Sequence, residues 1–190
     1  MKKNQRKQQG FTLIEMVGVL AVIAILAALL VPKIFAAIEE SRITNAVGSV
    51  NSVKAATMSY FAKNGGFVAN ATFDKTMIQE GQLERLFTTR LGTAWACEVV
   101  AKTDAGLKAD TKRFDTLDGA GGTAAASGNI VQCKLTGVKA GEAWELSKAL
   151  DGTSATMSEA DATTEDINGR VIYGLPAGGV TDVYVYIAHK

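Results

Sequence analysis

The sequence predicts an α+β fold, a long, kinked N-terminal helix whose C-terminal half packs on a small antiparallel β-sheet. Three observations predict it. An apolar run from Met16 to Val31 follows a basic head. Apolar residues then recur at steps of three and four as far as Asn64-Gly65-Gly66, which is the helical period with a strong stop. Beyond that point, short strand-like runs alternate with turn residues.

The 190 residues suffice for one domain with a core, plus appendages. The 20 basic and 19 acidic side chains nearly cancel, so no nucleic-acid partner is predicted. The balance hides an asymmetry. Lys2, Lys3, Arg6 and Lys7 lie in the first ten residues, and removing these four from the 20 leaves 16 basic against 19 acidic. A basic tip before an apolar segment stays in the cytoplasm while the rest is exported.

Residues 1–10 read as a leader. An ordinary secretory signal is cut after its apolar region, at small residues. Here the apolar run is longer than such a region, and Pro32-Lys33-Ile34-Phe35 does not suit the cut. An uncleaved anchor is the other alternative. Residues 11–31 would form a helix about 31 Å long, the thickness of a bilayer core. It is apolar on every face, so it needs lipid or an assembly around it.

Pro32 donates no backbone hydrogen bond, and a kink is expected there. Residues 32–63 continue as an amphipathic helix. Its stripe runs through Ile34, Phe35, Ile38, Ile43, Ala46, Val47, Val50, Val53, Thr57, Tyr60 and Phe61. A coiled coil would need longer repeats and ordered flanking charges, so a sheet is the expected cover. Residues 64–94 form a connection, with a short helix within 75–87 interrupted at Gly81.

Residues 95–190 are expected to be the sheet domain. Strands are predicted over 95–101, 129–135, 170–174 and 180–188, the last two joined by Leu175-Pro-Ala-Gly-Gly179 as a hairpin. Residues 141–150 are expected to turn from strand into short helix, and 119–128 to be a loop. On the last strand, Val183, Val185 and Ile187 form the face assigned to the long helix, and Tyr184 and Tyr186 form the other.

Glu15 is the one charge between Lys7 and Lys33. A charge at the centre of a membrane helix costs about 2.5–3.5 kcal/mol, so its place near the start of the run calls for a reason. The stretch Gly10-Phe11-Thr12-Leu13-Ile14-Glu15, after a short Lys/Arg leader and before about twenty apolar residues ending at Pro32, resembles the N-terminus of type IV prepilins and type II secretion pseudopilins. The resemblance is close from Gly10 to roughly Tyr60.

That resemblance implies a pilin-like fold and a structural subunit. It implies leader cleavage between Gly10 and Phe11, N-methylation of Phe11, and a registry role for Glu15 against the amine of a neighbouring chain. A glutamate that merely reaches the lipid headgroups is the bland reading. The implied partners are further copies of itself and other pilins, a prepilin peptidase, an inner-membrane platform protein and a cytoplasmic assembly ATPase. The implied location is the bacterial inner membrane before assembly, then a periplasmic pseudopilus or extracellular pilus. The alternative is a minor pilin or a membrane-tethered binding protein whose C-terminal domain contacts a surface, DNA or a secreted substrate.

Two cysteines, Cys97 and Cys133, lie in the exported part, where oxidising conditions favour a disulfide. Two buried free thiols are the alternative. No structural metal is expected, since Cys-x-x-Cys is absent and His189 is the single histidine. Asp151, Asp161, Glu165 and Asp166 are weak calcium candidates, because calcium takes several oxygen ligands; a solvated acidic loop is the preferred reading. No cofactor and no enzyme activity is expected: neither a phosphate loop nor a nucleophile elbow is present.

Overall fold

The computed structural model describes residues 11–101, 128–152, 166 and 169–189. The expected leader over 1–10, most of the expected loop over 119–128, and most of the acidic stretch after Gly152 therefore lie outside the described residues. The chain divides into two compact units, Met1–Glu40 and Ser41–Lys190.

The order of elements is α1 (Leu13–Asn64), α2 (Phe73–Gln79), β1 (Ala94–Ala101), β2 (Asn129–Lys139), α3 (Ala140–Asp151), β3 (Val171–Tyr173) and β4 (Val180–His189). The helix α1 has 52 residues and stays helical through Pro32. It ends where the sequence stops it, with the Gly65 amide donating to the Phe61 carbonyl at 2.8 Å.

In the second unit, Ile43, Ala46, Val50, Val53, Ala56, Thr57 and Tyr60 of α1 are buried. Their spacing is the predicted stripe. Ile34, Phe35 and Ile38, which begin that stripe in the sequence, are exposed. The covered part thus starts about two turns later than the periodicity suggested.

The sheet has four antiparallel strands in the order β1-β2-β4-β3. Val183, Val185 and Ile187 of β4 join the α1 stripe in one core, as assigned from their alternation. The opposite face is not simply solvated. Ile130 and Ile172 are buried there, with Val100, Tyr184 and Tyr186 packed against them. An aromatic group closes the end of the core beside α2: Tyr60 and Phe73 meet edge-on at 5.0 Å, and Phe67 meets Phe73 edge-on at 6.1 Å. Such pairs add about 0.5–1.5 kcal/mol beyond burial.

Two local expectations are corrected. Residues 141–150 hold no strand; Ala140–Asp151 is helix throughout. Its buried Ala143, Leu146 and Ser147 lie on one helical face, so the 3.6-residue period wins. The short helix predicted within 75–87 is shorter and earlier, Phe73–Gln79, because the backbone turns away before Gly81.

Two turns fix how the strands enter. Ala177 and Val180 pair across Gly178 and Gly179, whose φ values of 62° and 82° give the mirror-image turn that suits the twist of a hairpin. At the start of β3, both oxygens of Asp151 accept the Arg170 amide at 3.0 Å, and Oδ2 also accepts the Val171 amide at 2.9 Å. The approach is so close that a Cβ on Gly169 would lie 2.6 Å from Asp151 Oδ2. One carboxylate therefore ties the end of α3 to the strand that follows it by 20 residues.

Cys97 and Cys133 face each other across β1 and β2, are fully buried, and form a disulfide. Replacing both by alanine should lower the free energy of unfolding by about 3–4 kcal/mol, the loop-entropy estimate for a closed loop of 36 residues. Urea denaturation of the full chain in detergent measures it; an unchanged midpoint would show that the bridge adds nothing.

Tyr173 on β3 is buried, and its backbone pairs with Asp166. Burial and the nearby Asp166 charge push its phenol up to about 12. The neutral phenol then contributes stability that is full below about pH 10 and is lost as pH rises through about 12. A phenolate absorbance titration should contain a component near pH 12 that vanishes in Tyr173→Phe; its survival in that variant would assign it elsewhere.

Candidate functional site

The first unit presents an uncovered apolar helix. From Leu13 to Val31 every large side chain is exposed: Leu13 is 82% accessible, and even Met16 is 42%. Among the described residues, α1 is the one helix long and apolar enough to cross a membrane. Gly18 has no atom within 4 Å of where a Cβ would sit, and it leaves a shallow groove lined by Phe11, Glu15, Met16, Val19, Val22 and Ile23. Among the described residues nothing requires a glycine there.

The start of α1 is a capping box. Thr12 Oγ1 accepts the Glu15 amide at 3.3 Å, and Glu15 Oε2 accepts both the Thr12 amide and the Thr12 hydroxyl at 2.8 Å. The reciprocal bonds satisfy backbone donors that the first helical turn leaves without partners. The sequence carried the signal, Thr-x-x-Glu before an apolar run, but the reading from residues weighed Glu15 only as a charge. The other oxygen, Oε1, makes no hydrogen bond among the described residues. Glu15 is thus held in place by one oxygen while the second stays open, beside the exposed Phe11 (83% accessible).

The remaining predicted positions lie apart from this one. Gly10 is outside the described residues. Pro32 lies within α1. Of the calcium candidates, Asp161 and Glu165 are outside the described residues. Asp151 and Asp166 both flank β3, but each is engaged: Asp151 by backbone amides, and Asp166 by the Ser147 hydroxyl at 2.7 Å. Burial holds Asp151 above its ordinary carboxylate range, against the pull of the Val171 and Arg170 amides. Among the described residues, no three histidine, cysteine or acidic side chains gather as a metal site. The tether made by Asp151 had no local signal in the sequence, because its partners are 19 and 20 residues away.

Thr12→Ala should weaken the first turn of α1 by about 1 kcal/mol, while Thr12→Ser keeps the cap. Amide hydrogen exchange of Leu13 to Glu15 in micelles reads this directly, and equal protection in the alanine variant would rule out a capping contribution.

Comparison with known proteins agrees with the geometry. Residues 5–31 match the model of the prokaryotic N-terminal methylation motif. The chain is 38% identical over 60 residues to type II secretion system core protein G of Pseudomonas aeruginosa, covering 32% of this chain and 42% of that protein. It is 35% identical over 79 residues to two fimbrial proteins of Pseudomonas aeruginosa, covering 42% of this chain and 51% of theirs. The chain thus spans about half the length of these relatives. No solved structure gives a significant match. With a methylation motif on a capped apolar helix and a small antiparallel sheet in the rest of the chain, this chain is similar over its N-terminal part to type IV pilins and type II secretion pseudopilins.

Proposed function

We propose that this chain is a structural subunit that polymerises through the first half of α1 into a type IV pilus or a type II secretion pseudopilus. The observation that carries the proposal is the combination at the start of α1: a helix apolar and exposed on all sides, with one carboxylate pre-positioned near its end.

Before assembly, lipid is the solvent for residues 11–31, and the basic leader keeps the N-terminus in the cytoplasm. A prepilin peptidase then cuts between Gly10 and Phe11 and methylates Phe11. The new amine is a cation in an apolar setting, and the open oxygen of Glu15 on a neighbouring copy is an anion in the same setting. Each relieves the other's burial cost when they meet, which selects one axial offset between copies. The capping box already orients Glu15, so little side-chain freedom is lost on pairing. Pro32 gives no amide to the Ala28 carbonyl, which makes this turn the place where α1 bends or loosens as helices pack. A platform protein in the membrane and a cytoplasmic ATPase supply the site and the work of lifting, and other pilins can join the polymer.

Glu15→Ala should leave the protein cleaved and membrane-bound but absent from sheared filaments. Intact mass of membrane-extracted protein checks the first half: both chains lose residues 1–10, and the parent gains one methyl group at Phe11. Normal incorporation of Glu15→Ala into filaments would sink the registry role.

A further inference from the structure

The second unit carries a small apolar tip at the end where the chain enters it. Ser41 opens that unit. Arg42, next in the chain, lies 3.6 Å from Glu142 in the first turn of α3. At the start of α3 the Ala140 amide donates to the Gly179 carbonyl at 3.1 Å, and Lys139 pairs with Val180. The hairpin between β3 and β4 therefore turns beside the point of entry. Leu175 and Val180, on the two arms of that turn, are 66% and 42% accessible, and neither belongs to a buried cluster. Lys139 is exposed beside them. The acids nearest to the tip are engaged. Glu142 faces Arg42, and Asp182 accepts the Gly137 amide at 3.1 Å and lies 3.4 Å from Lys134.

A single exposed leucine is ordinary. Its place in the chain sets this one apart. Arg42 follows Val31, the last residue of the apolar run, by eleven residues, which is about 17 Å of helical chain. We propose that, before assembly, the hairpin tip dips into the lipid surface around α1, with Leu175 and Val180 at the boundary of headgroups and acyl chains and Lys139 on the lipid phosphates. The inference rests on the membrane-bound stage proposed above. Apolar side chains bury at that boundary, while a lysine lays its stem along the apolar surface and keeps its ammonium among polar groups. The backbone of the turn is ready for such a setting, because Ala177 and Val180 pair with each other. Backbone groups paired within the chain are the ones that lipid tolerates. The domain is then held to the bilayer at a second point besides α1, and lifting into a filament has to release it.

The test uses the full chain in vesicles of phosphatidylethanolamine and phosphatidylglycerol. Cys97 and Cys133 are joined, so Ala177→Cys supplies a single thiol for a fluorophore at the tip. Val68→Cys, exposed and beyond the C-terminal end of α1, is the control. Lipids with a quencher just below the headgroups should dim the label at 177 and spare the label at 68, and iodide in the water should do the reverse. Adding Leu175→Asp to the Ala177→Cys chain should reduce lipid quenching to the control level. Its urea midpoint should match the parent's, because Leu175 lies outside the core. Equal lipid quenching at 177 and 68, or undiminished quenching in the Leu175→Asp chain, would overturn the proposal and leave the membrane-bound stage intact. A label at 177 shielded from iodide yet untouched by lipid quenchers would put a protein on the hairpin, and would overturn it too. If the parent chain does not float with the vesicles, both readings fall.

Discussion

From Met16 to Val31 the helix α1 carries no polar side chain, and its large residues are exposed all round. The remaining structure depends on that constraint. At about 25 cal/mol per Å² of apolar surface, such a segment is unstable in water and must be held by lipid or by other helices. Lipid tails are as apolar as leucine, so moving from bilayer to helix bundle changes little in hydrophobic energy. Such a helix can pass between the two environments, and polar groups decide where it stops. Glu15 is the one charged group near the start of that run, and its bonds to Thr12 set its direction.

The same helix serves a second solvent regime. After Glu40 its apolar residues narrow to a stripe, and the sheet covers them. The sheet is secured by a buried disulfide between β1 and β2, and by a carboxylate that ties α3 to β3. Arg42 of α1 also reaches Glu142 of α3, at 3.6 Å. These bonds hold a domain of modest core to one arrangement.

Much of the fold could be read from residues. The stop of α1 at Asn64-Gly65-Gly66, the face of β4 that meets the core and the glycine hairpin all follow from local patterns. The reading failed where two local patterns competed. Residues 141–150 mix strand-like and helical signals, and packing of Ala143, Leu146 and Ser147 on one face decided for helix. At the candidate site, Glu15 was legible as a charge out of place, but its bonds to Thr12 were overlooked although Thr-x-x-Glu was there to see.

The sequence by itself determined the uniform apolarity of the first half of α1, the position of its one carboxylate, the basic head before it and the presence of two cysteines beyond it. These are properties of short stretches, set by side-chain chemistry and helical period. Only the tertiary structure decided that Cys97 stands opposite Cys133, that Asp151 binds a strand start instead of lying open, and that the hairpin at Gly179 meets the start of α3. Each joins positions that are distant in sequence. Strand register, chain reversal and close backbone approach bring them together, and no local pattern encodes those.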